Sequence, residues 1–249
     1  MKPRPDKSRW RSEGPSTPAC SSDRVDVWRV RLDQPASPAQ ANNVLSPDEL
    51  ARANRFHFER DRLHFVRCRT ALRFLLGRYL GIPALEIRLE YQTSGKPELA
   101  AKQNLRRLRF NVSHSADLAL IAVSADHRLG IDIENIRADV DIAMLSERFF
   151  SARERASLQA LPQNLQLQAF FACWTRKEAF LKATGDGLSF PLSDFTVSTH
   201  PERSPELEEI RGDTEVAHWF LADLSPKNGY RATVAVEGLP ASVETYRWN

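Results

Sequence analysis

The sequence is poor in cysteine and has none of the usual cysteine motifs. Its 249 residues include 3 cysteines, at Cys20, Cys68 and Cys173. The number is odd, and no two of them have the C-x-x-C spacing of redox and zinc sites. A disulfide framework and a cysteine-based zinc site are therefore disfavoured. We expect a protein of a reducing compartment, the cytoplasm.

Long hydrophobic runs are also missing. No stretch approaches the ~18 consecutive apolar residues that a membrane-spanning helix needs, and the N-terminus lacks the apolar core of a secretory signal. Its arginines and serines fit a transit peptide, but three prolines in the first fifteen residues oppose the amphipathic helix of such peptides. With 42% hydrophobic and 27% charged residues, the composition predicts a globular protein without a membrane partner.

Charge of one sign is not in excess once the N-terminus is set apart. The net charge is +3, and residues 1–24 account for it with six Lys or Arg against three acids. The other 225 residues carry 29 basic and 29 acidic groups, which argues against a nucleic-acid partner. Residues 1–24 are rich in Pro, Ser and charge and have little that is apolar except Trp10, so they are predicted to form a disordered tail.

Arginine is concentrated in one stretch of the chain. Eight arginines lie between Arg52 and Arg78, against two acids, Glu59 and Asp61. A basic stripe of this kind suits phosphate groups or an acidic partner. A solvated helix face without a ligand is the alternative interpretation.

The hydrophobic pattern predicts an α+β fold of two similar halves, residues 25–128 and 129–249, with a ligand cleft between them. Ser46 and Ser151 begin helices through capping boxes with Glu49 and Glu154. Long helices are predicted at 60–80 and 165–183. Strands are predicted at 25–30, 110–115, 118–124, 129–134, 195–198, 217–224 and 230–236, and a surface loop at 201–213.

The string Gly130-Ile131-Asp132-Ile133-Glu134 is a candidate metal site. Alternate residues of a strand share a face, so Asp132 and Glu134 stand side by side. Neighbouring carboxylates repel each other unless a cation or a proton lies between them. Hard oxygen ligands of this kind favour Mg²⁺. The other interpretation is a strand with an exposed acidic face.

The helix from Trp174 to Lys182 holds a second candidate group. At ~100° per residue, Trp174, Glu178 and Lys182 fall on one stripe, with Lys177 at its edge. Glu178 and Lys182 are also an ordinary i,i+4 pair, worth only a few tenths of a kcal/mol on a surface. Because they share their stripe with an aromatic residue that should face protein, the wall of a site is the other interpretation.

Two further strings present polar groups. Ser113-His114-Ser115 ends a strand with hydroxyls and an imidazole that suit phosphate oxygens. A Ser–His nucleophile pair is disfavoured, because neighbouring strand residues point to opposite faces and no G-x-S-x-G turn is present. Gly95-Lys96-Pro97 presents a lysine on a glycine turn, without the G-x-x-x-x-G-K-[ST] pattern of a phosphate-binding loop.

In this order, G-K-P, F-N-V-S-H-S, G-I-D-I-E and W-T-R-K-E-A-F-L-K resemble the motifs of the surfactin-type (Sfp-like) 4′-phosphopantetheinyl transferases. The resemblance covers about residues 45–200, including the Gly185-Asp186-Gly187-Leu188 that follows the last motif. It implies a monomer of two similar half-domains, a pseudo-dimer with the cofactor cleft between its halves.

The activity implied by the resemblance is that of a holo-acyl-carrier-protein synthase. Such enzymes move the phosphopantetheine arm of coenzyme A to a serine of an apo acyl or peptidyl carrier protein and release adenosine 3′,5′-bisphosphate. Their carriers are acidic and serve fatty acid, polyketide or nonribosomal peptide synthesis. The implied metal is Mg²⁺, or Mn²⁺ in its place, and coenzyme A is the co-substrate.

The resemblance also implies roles for single residues. It assigns Asp132, Glu134 and Glu178 to the metal. Glu178 is also the implied base for the carrier serine, directly or through a water, and Lys182 the residue that contacts the pyrophosphate and assists the leaving phosphate. The implied coenzyme contacts are Lys96, Pro97, Ser113, His114, Asp132, Lys177 and Lys182.

The sequence departs from the family near Ser46. Some members place two lysines there on the 3′-phosphate of coenzyme A, whereas here one position is Glu49 and only Arg52 is basic. Arg60 and Arg62 are the candidates to substitute for the second lysine. Two other functions fit the same carboxylates: a Mg²⁺-dependent phosphohydrolase acting on coenzyme A, and a non-catalytic protein that binds coenzyme A or a carrier.

Overall fold

The secondary structure alternates strands and helices in a mixed α+β order, as predicted. The computed structural model describes residues 10–12, 14–18, 21–34, 43–92, 95–185, 190–211, 215–240 and 242–248. The helices are α1 (Pro47–Ala53), α2 (Glu59–Leu80), α3 (Ile142–Phe149), α4 (Ala152–Gln159) and α5 (Gln163–Thr184). The strands are β1 (Arg24–Arg31), β2 (Leu89–Tyr91), β3 (Pro97–Leu99), β4 (Leu108–Ser115), β5 (Leu118–Ala125), β6 (Leu129–Asn135), β7 (Phe195–Val197), β8 (Leu207–Ile210), β9 (Trp219–Leu224), β10 (Tyr230–Glu237) and β11 (Ser242–Trp248).

The larger sheet has the strand order β11-β1-β5-β4. β1 runs parallel to β11 and antiparallel to β5. Val27 of β1 is buried on one face and Trp28 on the other, so both faces of the sheet are covered. One of the covers is the long helix α2, whose Leu72 and Leu75 pack in the same cluster as Trp28.

The second sheet has the order β6-β10-β9 with antiparallel neighbours. Its Ile131 and Ile133 pack against the first sheet, in the cluster that also contains Val27. Leu221 and Ala235 lie in the cluster of its other face, which α5 covers. The layers therefore run α2, first sheet, second sheet, α5. Two short ribbons, β2–β3 and β7–β8, complete the sheets.

The predicted helix boundaries are confirmed at the caps. Ser46 and Glu49 form a reciprocal capping box at α1, and Ser151 and Glu154 form another at α4. α2 ends at Gly81, whose φ of 72° is in the left-handed region that glycine adopts freely. In the described ranges, no helix combines the length and the apolar character of a membrane span.

The C-terminal strand returns from the second predicted half of the chain, residues 129–249, to the sheet of the first half. β11 leaves the second half and pairs with β1, along a register from Arg24–Ser242 to Val30–Trp248. Residues 242–248 therefore belong to the sheet of the first half. The sequence gives no local sign of this pairing, because the parallel partner of β11 lies more than 200 residues away in the chain.

The prediction of a disordered tail over residues 1–24 is wrong for part of that segment. Trp10 is 8% exposed, packs in the core between the sheets and donates from Nε1 to the Ser225 carbonyl at 2.9 Å. The backbone of Arg11 forms an isolated parallel β-bridge with Tyr246 of β11. One large aromatic side chain supplied the burial that the composition of the segment did not predict. Residues 1–9, 13, 19 and 20 lie outside the described residues.

Two predicted segments in the second half also need correction. The loop predicted over 201–213 contains β8, which pairs with β7. The strand predicted from residue 217 begins at Trp219, after a 3₁₀ turn over Glu215–His218.

Candidate active site

The site lies at a seam between the two sheets, where the edge strands β4 and β6 run side by side. Alternate residues of β4 reach across this seam. Asn111 Oδ1 accepts from the Ile131 N–H at 2.8 Å, and Ser115 Oγ accepts from the Asn135 N–H at 3.0 Å. These side chains satisfy backbone groups of β6 that would otherwise face the seam without partners.

Asp132 is at the centre of the seam and is 3% exposed. Its Oδ1 accepts from Ser113 Oγ at 2.9 Å and from Lys182 Nζ at 2.6 Å. Its Oδ2 is buried, and among the described residues nothing hydrogen-bonds to it. Burial raises the pKa of Asp132, and the positive charge of Lys182 opposes that shift. Burying a carboxylate oxygen without a partner costs free energy, so a cation or a hydrogen-bond donor at Oδ2 would stabilise Asp132.

Glu134 follows Asp132 on the same face of β6. Its Oε2 accepts from Ser115 Oγ at 3.0 Å. Its pKa is raised, first by burial and then by the negative charge of Asp132. The predicted side-by-side carboxylates are therefore close enough to act on each other, and neither is a freely solvated surface group.

Glu178 and Lys182 reach this seam from α5, one helical turn apart. The pKa of Glu178 is raised by burial and then by the negative charge of Asp132, while Lys182 opposes the shift. Lys182 Nζ also donates to Ser113 Oγ at 3.1 Å. Of the two interpretations of the Glu178–Lys182 pair, the wall of a site is therefore the one that the structure supports.

Gly130 explains why β6 and α5 approach so closely. A Cβ atom at this position would overlap backbone atoms of Ala179 and Ala183 in α5. Only a residue without a side chain lets the strand lie directly on the helix backbone. Asp132, two residues further along β6, is thereby brought to hydrogen-bonding distance of Lys182.

A cleft of about 330 Å³ opens beside this group. Lys96, Pro97, Glu178 and Lys182 are among the residues that line it. Lys96 Nζ donates to the Lys182 carbonyl at 2.7 Å, which links the glycine turn to the end of α5. Burial lowers the pKa of Lys96. The structure thus brings the G-K-P turn, β4, β6 and α5 to one place.

Lys177 is a correction to the predicted set. It is 1% exposed and points away from the cleft, where its Nζ donates to both carboxylate oxygens of Glu154 at 2.7 and 2.8 Å and to the Phe195 carbonyl at 2.6 Å. Lys177 therefore does not contact a ligand in the cleft. Successive helix residues are rotated by ~100°, so Lys177 points to a different side of α5 from Glu178. The predicted stripe of Trp174, Glu178 and Lys182 therefore does not extend to Lys177.

The remaining predicted residues are dispersed. His114 lies on the opposite face of β4 from Ser113, and its pKa is lowered by desolvation and then by the charges of Lys182 and His64. Arg52 is exposed, with its guanidinium 5.5 Å from the centre of the Phe65 ring. Arg60 has a side chain 81% exposed, pairs with Asp61 and does not line the cleft.

Two roles in the site are not predicted from the sequence, those of Asn111 and Gly130. Asn111 alternates with Ser113 and Ser115 along β4, and this N-x-S-x-S period could have predicted one polar face. The role of Gly130 had no signal of its own, because the close approach to α5 is a property of the tertiary structure. Asp186, Gly187 and Leu188, which follow the last motif, lie outside the described residues.

The donor set fits a hard divalent cation. Within the described residues, no three His, Cys, Asp or Glu side chains are gathered closely enough to hold a metal. Oδ2 of Asp132, however, is buried without a partner among the described residues. The negative charge of Asp132 raises the pKa values of Glu134 and Glu178. A cation near Oδ2 would give this oxygen a partner and would offset the repulsion of Asp132 with Glu134 and with Glu178. Carboxylate oxygens are the ligands that Mg²⁺ prefers.

Comparison with known proteins gives matches along most of the chain. A model described as 4′-phosphopantetheinyl transferase superfamily matches residues 128–235. A second model, described as 4′-phosphopantetheinyl transferase, N-terminal, matches residues 33–126. The two matches meet at the turn between β5 and β6, and together they contain every predicted site residue.

Individual relatives carry the same description. The chain is 41% identical over 218 residues to the 4′-phosphopantetheinyl transferase HetI of Nostoc sp., a match that covers 87% of this chain and 89% of the relative. It is 37% identical over 157 residues to 4′-phosphopantetheinyl transferase psf-1 of Bacillus pumilus, with 63% and 65% covered. It is 29% identical over 188 residues to 4′-phosphopantetheinyl transferase Sfp of Bacillus subtilis, with 74% and 81% covered.

Proposed function

The chain belongs to the 4′-phosphopantetheinyl transferase superfamily, and we propose that it transfers the 4′-phosphopantetheine arm of coenzyme A to a serine of an apo acyl or peptidyl carrier protein. The second product is adenosine 3′,5′-bisphosphate. Coenzyme A lies in the cleft between the two sheet-and-helix halves. The cleft beside the seam is lined by residues of both halves of the chain, which supports the interpretation of the chain as a pseudo-dimer of half-domains.

One observation carries the proposal: Asp132 and Lys182 form a hydrogen-bonded pair at the seam between β4, β6 and α5, and Glu134 and Glu178 lie near enough for the charge of Asp132 to raise their pKa values. Carboxylate oxygens for a divalent cation and a lysine for phosphate oxygens are the groups that a metal–pyrophosphate site requires. The group lies beside a cleft lined by Lys96 and Pro97, on which a coenzyme can rest.

Glu178 is the proposed base. The carrier serine Oγ attacks the phosphorus that bears the pantetheine arm, and the serine proton passes to the Glu178 carboxylate. The bond from that phosphorus to the bridging oxygen of the pyrophosphate breaks. Because burial and the charge of Asp132 raise the pKa of Glu178, this carboxylate is a stronger base than one in water.

Lys182 is the proposed partner of the leaving phosphate. Its Nζ lies at the mouth of the seam, held by Asp132 and Ser113. From there it can donate to the oxygen that gains charge as the phosphorus–oxygen bond breaks. Asp132, Glu134 and Glu178 would hold a Mg²⁺ ion, or Mn²⁺ in its place, which neutralises charge on the pyrophosphate.

The test is intact-mass spectrometry of apo carrier proteins incubated with this protein, coenzyme A and Mg²⁺. We expect a carrier to gain ~340 Da, the mass of one phosphopantetheine group, and to lose this gain in EDTA. Glu178→Gln should slow the transfer by ~10²–10⁴-fold, because it removes the base and a metal ligand together. The exposed Glu209→Gln is the matched control and should transfer normally.

The two alternative functions, phosphohydrolase and non-catalytic binding protein, predict different masses for the carrier and for coenzyme A. A phosphohydrolase would break coenzyme A down without a gain on any carrier. A binding protein would retain coenzyme A unchanged, and carriers would keep their original mass. Normal transfer by Glu178→Gln would contradict the assignment of the base.

A further inference from the structure

Side chains of β4 make the hydrogen bonds to β6 that a backbone ladder makes inside one sheet. The two strands belong to different sheets, and Asn111, Ser113 and Ser115 reach across the seam between them. Asn111 accepts from a backbone N–H of β6, and Ser113 donates to a carboxylate of β6. Ser115 makes both kinds of bond with a single hydroxyl, so it ties the backbone of β6 to one of the proposed metal ligands.

The two hydrogen bonds of Ser115 fix the direction of its proton. Its Oγ accepts from the Asn135 N–H at 3.0 Å and donates to Oε2 of Glu134 at 3.0 Å. A hydroxyl has one proton to donate, and here that proton is directed to Glu134. In the part of the chain that the structure describes, no other group hydrogen-bonds to the Glu134 carboxylate. Ser115 is therefore the group that sets the orientation of this carboxylate relative to β6.

Each carboxylate of the Asp132–Glu134 pair has one oxygen held by the protein. Oδ1 of Asp132 accepts from Ser113 and Lys182, which leaves Oδ2 as the candidate metal ligand. Oε2 of Glu134 accepts from Ser115, which leaves Oε1. Asp132 would keep one donor if Ser113 were lost. Glu134 would keep none of those that the described residues supply if Ser115 were lost, so its orientation depends on that one hydroxyl.

One available oxygen per carboxylate suits a small cation. Mg²⁺ demands a near-ideal octahedron with oxygens at about 2.0–2.1 Å and keeps several of its waters. Ca²⁺ takes about 6–8 oxygens at roughly 2.3–2.6 Å and often binds both oxygens of a carboxylate. A hydroxyl that engages Oε2 of Glu134 competes with such two-oxygen binding. The hydrogen bond from Ser115 therefore opposes the larger cation more than the smaller one.

We propose that Ser115 is a positioning residue that presents one oxygen of Glu134 to the metal and thereby favours Mg²⁺ or Mn²⁺ over Ca²⁺. The inference rests on the proposed function, which assigns Asp132, Glu134 and Glu178 to the cation. Ser115 acts through Glu134 and is not itself a ligand. Groups that hold metal ligands in place in this way are typically worth about 10- to 100-fold in metal affinity.

The test measures metal binding directly, on the full chain without coenzyme A or carrier. Electron paramagnetic resonance follows the signal of free Mn²⁺, which falls as the ion binds, and displacement by Mg²⁺ or Ca²⁺ gives their relative affinities. Ser115→Ala should weaken the binding of Mn²⁺ and Mg²⁺ by about 10-fold. Ca²⁺ should lose less, because the freed carboxylate can offer it both oxygens, so the preference for Mg²⁺ over Ca²⁺ should fall.

A matched pair of variants separates the hydroxyl from the shape of the side chain. Thr and Val have nearly the same shape and both suit a strand, but only Thr has a hydroxyl. Ser115→Thr should keep the native Mn²⁺ affinity and metal preference, whereas Ser115→Val should lose both as Ser115→Ala does. The urea midpoint of each variant records any general loss of stability separately.

Ser124→Ala is the control for loss of a strand hydroxyl elsewhere. Ser124 Oγ donates to the Arg24 carbonyl at 3.1 Å, and Ser124 pairs with Arg109, at the opposite end of β4 from Ser115. This variant should lower stability at most and should bind Mn²⁺, Mg²⁺ and Ca²⁺ as the native protein does.

Several results would overturn the inference. Native Mn²⁺ affinity in both Ser115→Ala and Ser115→Val would do so, as would an equal loss for Mg²⁺ and Ca²⁺ or a Thr variant as weak as the Val variant. A native protein that binds no Mn²⁺ would contradict the metal assignment together with the inference. A failure of the proposed function is recognised separately: no carrier would gain phosphopantetheine, while the metal affinities would still show whether Ser115 positions Glu134.

Discussion

Lys182 donates a 2.6 Å hydrogen bond to Oδ1 of Asp132, while Oδ2 of the same carboxylate is buried without a partner among the described residues. Lys182 thus compensates the charge at Oδ1, and Oδ2 is left as a candidate ligand for a cation. In the proposed complex, Asp132 would therefore hold Lys182 through Oδ1 and the metal ion through Oδ2, and both would contact the pyrophosphate.

Asp132→Asn tests the role of that carboxylate. The amide has nearly the same size but no charge, so it should abolish Mg²⁺-dependent transfer, with a loss of at least ~10²-fold, while the fold is retained. The measurement is the transfer rate over a Mg²⁺ titration. Asp139→Asn, at an exposed position, is the control. An Asp132→Asn enzyme with the native Mg²⁺ dependence would contradict the assignment.

Gly130→Ala tests the contact between β6 and α5. The added methyl group meets the backbone of Ala179 and Ala183, which cannot rotate away as a side chain could. We expect a loss of ~1–3 kcal/mol in the free energy of unfolding, together with slower transfer by the folded protein. Urea unfolding and transfer assays at a temperature where the variant is folded measure both. Ile133→Val on the same strand should cost stability alone, and native behaviour of Gly130→Ala would rule out the tight contact.

Lys177→Met separates a structural role from a coenzyme-binding role. Removing one partner of the buried Lys177–Glu154 pair should lower the free energy of unfolding by ~3–5 kcal/mol, because it leaves a buried carboxylate unpaired. The KM for coenzyme A should not change. Lys182→Met, the same substitution further along α5, should instead slow transfer. A raised KM with native stability in Lys177→Met would restore the coenzyme contact.

The thiol of Cys68 should be unreactive in the folded protein. Burial raises its pKa to about 11, above the ordinary value of a thiol. Since the thiolate is the reactive form, iodoacetamide at pH 8 should label Cys68 much more slowly in the native protein than in urea, and faster as the pH rises towards 11. Peptide mapping by mass spectrometry follows each cysteine separately. Equal rates in the native and unfolded chains would show that the site is open.

The arginine-rich segment from Arg52 to Arg78 should steer an acidic carrier only through its exposed members. Arg73 is buried against Glu49 and cannot contribute. If Arg52, Arg55 and Arg60 attract the carrier, kcat/KM for the carrier should fall as NaCl rises from 50 to ~500 mM, because salt screens charges over about 10 Å at 0.1 M. If kcat/KM for the carrier does not change with NaCl, the arginine-rich segment from Arg52 to Arg78 does not steer the carrier.

Much of the site could be predicted because its signals are local. The D-x-E pair needed only the two-residue period of a strand, and the Glu178–Lys182 pair only the turn of a helix. Both capping boxes lie within four residues of their serines. Where several neighbouring residues share one geometry, the pattern along the chain is enough.

The predictions that failed concern partners distant in the chain. The partner of Lys177 is Glu154, which is 23 residues away in the chain and belongs to another helix. β11 and Trp10 were missed because their partners are more than 200 residues away.

The sequence by itself determined which chemistry is present: carboxylates and lysines at fixed spacings on strands and helices, and the turns that end those elements. The tertiary structure alone decided which of these groups meet. It placed Gly130 on the backbone of α5, turned Lys177 inward and Glu178 toward Asp132, and brought Ser115 beside Glu134. The physical reason is that local periodicity sets the direction of a side chain, whereas its partner depends on how distant segments bury their apolar faces.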